Sequence, residues 1–250
     1  MSAFARHLTK SAFLTPTFIT ASAWAGHVPF AFWLIEVLRP QTFVELGTFN
    51  GLSFMAFCQS IEANRIPARA YAIDTWQGDE HAGRIDSDVY EGLKTYVADK
   101  YPGIATLIRA AFAQAVDTFE DGSIDLLHID GFHSYEAVSS DFHTWKSKLT
   151  SNAVVLFHDT RVFEKGYEVH RFWQEVRQGY RSFEFEHGFG LGVLGVGSRF
   201  PPALEALFAA DTEDAAFARA AFSRLGKSVA LSVENFRLRR LVRAREDATA

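Results

Sequence analysis

At 250 residues the chain is long enough for one domain with a large core and an appendage, and its 48% hydrophobic and 22% charged content is ordinary for a water-soluble globular protein. A net charge of −5 argues against a nucleic-acid binder held by phosphate contacts, and a single cysteine, Cys58, excludes an internal disulfide framework and fits a reducing compartment. No apolar run reaches the roughly 18–20 residues a membrane span needs, and the N-terminal apolar stretch is too short for a secretory signal, so a cytoplasmic location is expected.

Residues 1–25 carry little periodic pattern and read as an arm that wraps the domain or meets a partner. Val28–Leu38 is apolar on nearly all sides, which predicts a buried helix stopped by Arg39-Pro40. A short strand, Thr42–Leu46, then runs into a glycine turn and a helix over Phe54–Ala63. The next strand, Ala70–Ile73, ends in Asp74. The polar, glycine-bearing loop after it suits a surface segment over a cleft. Val89–Lys100 reads as a helix, Thr106–Ile108 as a third strand and Phe112–Phe119 as a short helix.

Two apolar runs follow, Ile124–Ile129 ending in Asp130 and Ala153–Phe157 ending in His158-Asp159-Thr160. Between them Tyr135, Val138, Phe142, Trp145 and Leu149 recur at steps of three and four, one apolar face of a helix. Strand, helix, strand at this length is a right-handed crossover between parallel strands. The carboxyl ends of such strands open on one edge, where ligands bind, so Asp130, His133 and Asp159 should share one cleft. Tyr167–Arg177 is a further helix, and Ser182–His187 with Leu191–Val196 reads as a hairpin. Pro201-Pro202 marks a boundary, after which Ala203–Arg245 is helical in pattern and ends in a basic run. That run reads as a solvated or partner-binding helix rather than a nucleic-acid arm. The expected fold is therefore α/β, a doubly wound Rossmann-like sheet, divided as an arm (1–25), a core domain (26–200) and a helical extension (201–250).

Chemistry concentrates at the strand ends. In Glu45-Leu46-Gly47-Thr48-Phe49-Asn50-Gly51-Leu52-Ser53 a strand enters a glycine turn and then a helix, so free backbone N–H groups face whatever lies there. The nicotinamide fingerprint G-x-G-x-x-G is absent. An acid ahead of the first glycine opposes a pyrophosphate but suits a cationic ligand such as a sulfonium amino acid. A plain structural turn is the competing reading. Asp74 is placed to accept from both hydroxyls of a ribose, or else acts as a loop carboxylate. His128, inside a strand, reads as a satisfied core histidine.

These motifs resemble class I S-adenosylmethionine-dependent methyltransferases. More narrowly, the runs around Asp130, His158 and Asp74 are similar to macrocin-type sugar O-methyltransferases, closest to modules found beside or fused to glycosyltransferases. The likeness covers roughly residues 25–197. It implies a seven-stranded sheet with the last strand antiparallel and S-adenosylmethionine over the first two strands. Glu45 would hold the methionine amino group; Gly47, Gly51 and Ser53 would line its backbone; Asp74 would hold the ribose, with Trp76 packing nearby and Asp130 bordering the cofactor. Adenine contacts stay undecided, because Ala110-Ala111-Phe112 stands where relatives carry a small turn. As in catechol O-methyltransferase, Asp130 and Asp159 would bind a metal, with Mg²⁺ suiting hard oxygen ligands. Thr160 stands where that enzyme has an amide ligand, and His158 or a water could complete the shell.

The resemblance also implies that His133, three residues past Asp130, is the general base; a helix N-cap or a support for the metal ligands is the competing reading. The loop through Asp79 and His81 would close over the acceptor, against the reading of a mere surface loop. The expected function is Mg²⁺-assisted O-methylation of a sugar, glycoside or other small polyhydroxylated acceptor. The alternatives are metal-independent transfer with His133 alone as base, or a weakly active cofactor-binding partner of a glycosyltransferase. The aromatic-rich N-terminus and long helical tail are surfaces for a homodimer or such a partner; neither nucleic acid nor a membrane span is expected.

Overall fold

The computed structural model describes residues 2–80, 83–164 and 166–249. In chain order its elements are α1 (Val28–Leu38), β1 (Thr42–Leu46), α2 (Leu52–Ala63), β2 (Arg69–Asp74), a small ribbon of β3 (Gly78–Asp79) and β4 (Gly83–Arg84), α3 (Ser87–Lys100), β5 (Ala105–Arg109), α4 (Phe112–Ala115), β6 (Ile124–Ile129), α5 (Tyr135–Trp145), β7 (Leu149–His158), α6 (Val169–Val176), β8 (Arg181–Phe185), β9 (Leu191–Gly195), α7 (Pro202–Phe208) and α8 (Thr212–Thr249).

Seven strands form one sheet in the order β5-β2-β1-β6-β7-β9-β8. All pairings are parallel except those of β9, the last strand in the chain, which runs antiparallel to both β7 and β8. The central strands are apolar on both faces because helices cover both. The period of two divides them cleanly. Phe43, Leu126, Val154 and Leu156 face a core built with α1, α2, α3 and the tail, whereas Val44, Leu127, Val155 and Phe157 face a second core built with α5 and α6.

Register decides where the site forms. Leu46 pairs with both Ile73 and Ile129, and Ile129 pairs with Phe157. The residues that follow these partners therefore emerge together on one edge: Gly47, Asp74, Asp130 and the His158-Asp159 pair.

The helical tail differs from a single run. It breaks at 209–211, and the Asp211 carboxylate accepts from Asp214 N at 2.9 Å, capping the second helix. The first half of α8 is built into the core: Ala218, Phe222, Val229 and Val233 are buried, and Phe222 meets Phe30 and Trp33 edge-on. Gly226 lies so close to Gly26 that a Cβ there would come within 1.9 Å of the Gly26 carbonyl. The N-terminal segment forms three short 3-10 turns whose Phe4 and Trp24 enter the same core. Among the described residues no helix is long and apolar enough to cross a membrane.

Candidate active site

The β1–α2 turn forms one end of the site. Gly47 takes φ 87° and Gly51 φ 83°, the left-handed region that disfavours any side chain. A Cβ on Gly47 would fall 2.0 Å from the Asp130 carbonyl oxygen, so the glycine is required by the close approach of two strand ends. Asp74 ties this turn to the end of β2. Its Oδ2 accepts from Thr48 N and Phe49 N, each at 2.9 Å, and its Oδ1 accepts from Trp76 N at 2.8 Å. A carboxylate offers about four acceptor positions, so about one remains, on Oδ1, for an outside donor. Trp76 is buried and holds the same turn through Nε1, which donates to Phe49 O at 3.1 Å.

Glu45 lies beneath this turn, fully buried, with Oε2 2.9 Å from His128 Nδ1. Its Oε1 is buried without a hydrogen-bond partner among the described residues, with the Ser53 side chain beside the carboxylate. Burial raises the Glu45 pKa, and His128 offsets only part of that effect.

At the other end, Asp130, His133 and Asp159 converge, one ligand atom from each lying within 4.8 Å of the others. His133 Nε2 is 2.9 Å from Asp159 Oδ2. Beneath them the buried His158 directs Nδ1 at both acids, 3.2 Å from Asp130 Oδ1 and 3.3 Å from Asp159 Oδ2. The other ring nitrogen, Nε2, lies 3.0 Å from Gly188 O and must donate to it. Since carboxylates and carbonyls only accept, both ring nitrogens carry protons and His158 is an imidazolium. Burial works against that charge, but the two carboxylates outweigh it and hold the His158 pKa well above 6.5. Burial likewise works against the Asp159 charge, yet His158 and His133 hold its pKa below 3.8.

A cavity of about 490 Å³ joins the two ends. Gly47, Gly51, Ser53, Asp74, Asp79, Asp130, His133, His158 and Asp159 line it. Glu45 and Trp76 stand behind its wall. Thr160 is buried with its hydroxyl against Gly190, outside the lining, and His133 lies with the two acids. His158 is a buried support for the carboxylates more than a surface for an acceptor. His81 lies outside the described residues.

With this geometry in view, the matches to known proteins are informative. Residues 44–160 match a methyltransferase domain family. The matched span runs from the middle of β1 to the residue after Asp159, and so contains both ends of the cavity. An uncharacterized protein, y4gI, of Sinorhizobium fredii is 44% identical over 173 residues, 69% of this chain. That stretch is only 19% of y4gI, so the chain spans about a fifth of the length of the curated relative it matches. Among solved structures, a methyltransferase from Geobacter sulfurreducens aligns with TM-score 0.53 at 16% identity, over 72% of this chain and 81% of that one. The O-methyltransferase TomG of Streptomyces achromogenes, solved with S-adenosylmethionine, aligns with TM-score 0.51 at 14% identity, over 79% and 100%. At these identities the likeness is one of fold.

The site has residues suited to an aminoacyl-nucleoside and to a divalent cation. Glycines that admit no side chain, an unpartnered buried carboxylate oxygen and one free Asp74 position fit an aminoacyl-nucleoside such as S-adenosylmethionine. Two carboxylates and an imidazole fit a divalent cation. Several further residues line the cavity. Trp24 comes from the arm, Phe112 and Phe132 flank Gly131, and Tyr167 stacks on His133 at 4.5 Å. Phe112 and Phe132 follow the ends of β5 and β6, whereas Trp24 belongs to a segment without periodic pattern.

Proposed function

We propose that the protein is an S-adenosylmethionine-dependent O-methyltransferase acting on a hydroxyl of a sugar, glycoside or other small polyhydroxylated acceptor. The observation that carries this reading is the pairing of the Asp130–His133–Asp159 cluster with the Glu45–Gly47–Gly51–Asp74 turn across one cavity. The similarity to macrocin-type enzymes around Asp130 and Asp159 supports the sugar acceptor.

S-adenosylmethionine supplies, when bound, a methyl group on a positively charged sulfur. Glu45 Oε1 would receive the amino group, the turn at Gly47–Gly51 would border the methionine part, and Asp74 Oδ1 would accept from one ribose hydroxyl. A divalent cation, with Mg²⁺ expected, would be held by Asp130 and Asp159 and would make an acceptor hydroxyl more acidic. His133 would take the hydroxyl proton as the oxygen gains the methyl group, leaving S-adenosylhomocysteine. The apolar rings of Phe132, Phe189 and Tyr167 would keep water from the reacting atoms. The 2.9 Å contact between His133 and Asp159 favours one second reading, in which this histidine–carboxylate pair is the base with no metal.

The test is calorimetric titration with S-adenosylhomocysteine, in Mg²⁺ and in EDTA, followed by a screen of nucleotide sugars and glycosides. Micromolar binding lost in Asp74→Ala is the expected result. No binding under either condition overturns the proposal, whereas activity that persists in EDTA selects the metal-free reading.

A further inference from the structure

The buried side chains behind the β1–α2 turn form a directed chain that begins in the N-terminal segment. Trp24 Nε1 lies 3.1 Å from His128 Nε2, and His128 Nδ1 lies 2.9 Å from Glu45 Oε2. Trp24 is 1% exposed, and His128 and Glu45 are 0% exposed, so water cannot substitute for any of these contacts. An indole N–H can only donate. His128 Nε2 must therefore present a lone pair, which leaves the proton of the neutral ring on Nδ1, and Nδ1 donates to Glu45. One hydrogen bond from Trp24 thus sets the direction of the next.

This direction matters for the carboxylate. Glu45 Oε2 is occupied by a neutral donor, and Oε1 is buried with no hydrogen-bond partner among the described residues. The arrangement leaves the acid without a buried countercharge of its own, a costly state that a cationic ligand group relieves. Trp24 also lines the cavity, so the N-terminal segment supplies both a wall and the first donor of the chain. Its position is fixed by its own segment and by α2: Ser22 Oγ accepts from Trp24 N at 3.1 Å, and the ring packs against His27 and Phe57.

We propose that Trp24 is a positioning residue of the cofactor site, whose indole N–H fixes the His128 tautomer that in turn holds Glu45 as an acceptor for the cofactor's amino group. The inference rests on the proposed binding of S-adenosylmethionine. It makes the segment before α1 a part of the binding machinery rather than a separate arm.

Two measurements test it. In protein labelled with ¹⁵N-histidine, the His128 shifts should show a protonated Nδ1 and a lone pair on Nε2. A ring protonated at Nε2 overturns the proposal, whatever the ligand. Titration of Trp24→Phe, which keeps an aromatic wall but removes the donor, should then separate two ligands. S-adenosylhomocysteine, which carries the amino group, should bind about tenfold more weakly, as expected for a lost buried hydrogen bond. Methylthioadenosine, which lacks the amino acid, should bind as it does to the unaltered protein. Equal weakening of both, or of neither, overturns the positioning role. Failure of the unaltered protein to bind either ligand, with the expected tautomer, counts against the cofactor reading alone. If Trp24→Phe does not fold, the histidine shifts of the unaltered protein still decide.

Discussion

His133 Nε2 lies 2.9 Å from Asp159 Oδ2, and the Tyr167 ring stacks on the imidazole at 4.5 Å. Burial alone would make this histidine easier to deprotonate, but the hydrogen bond and charge of Asp159, with Asp130 behind it, outweigh burial and raise its pKa above 6.5. If His133 is the base of the proposed reaction it must first lose its proton, so methyl transfer should increase with pH along a limb centred above 6.5. Asp159→Asn should move that limb to lower pH, and His133→Gln should cost roughly 10²–10⁴ in rate. The pH profile of S-adenosylhomocysteine release checks both. The same shift has a stability consequence: the pair's contribution is full below 6.5 and fades as pH rises through the folded-state value.

His158 holds the two carboxylates together as their buried cation. His158→Gln should leave both acids facing each other without a charge between them and lower stability by about 3 kcal/mol at neutral pH. Urea midpoints measured in EDTA give the loss. Adding Mg²⁺ or Mn²⁺ should restore part of it, because a cation that binds only the folded state stabilises by mass action. Asp130→Asn, with one acid removed, should show little metal response. A His158→Gln protein indifferent to divalent ions would argue that no cation binds between the acids.

Gly47→Ala should be poorly tolerated even without any ligand. The position has φ 87°, and the added carbon would meet the Asp130 carbonyl at 2.0 Å. A non-glycine residue in that region costs roughly 1–3 kcal/mol before any clash is counted. Urea unfolding should show a loss at or above the upper end of that range. An alanine variant with an unchanged midpoint would show that β1 and β6 can separate at their ends.

Residues at strand ends were the most legible part of this site. Asp74, Asp130 and Asp159 each close an apolar run, and the crossover rule alone brings Asp130 and Asp159 to one edge. Gly47 was visible as a turn glycine, but its closest constraint is the Asp130 backbone, a contact between segments that no local pattern encodes. Trp24 had no signal, since the 3-10 turns around it lack the periodicity that marks a helix or strand. His128 did read as a satisfied core histidine, yet which partners satisfy it depends on the register of β1 against β6 and on where the arm returns. Thr160 stands where catechol O-methyltransferase has an amide, as a weaker ligand; in the fold its hydroxyl lies against Gly190, and His133 lies with the two acids. The break at 209–211 has no mark in the sequence pattern, because both sides are equally helical. The cap at Asp211 is a single side chain.

Asp141 gives a prediction independent of any ligand. It projects from α5 against Gly131, half-buried, and no hydrogen bond to its carboxylate is found among the described residues. Burial pushes its pKa up to about 7 from 3.8. A raised carboxylate pKa means that the fold prefers the protonated form, so the group costs nothing below pH 3.8 and progressively destabilises the protein as pH rises to about 7, after which the penalty is constant. Asp141→Asn removes that charge while keeping shape. It should therefore stabilise by about 2 kcal/mol at pH 8 and by much less at pH 4.5, the full linkage value being reduced by the side chain's residual exposure. Thermal unfolding at the two pH values measures the difference. Equal effects at both would mean that Asp141 is already ionised at low pH through a contact with solvent. A loss at pH 8 would mean that its charge serves the fold in a way that burial alone does not describe.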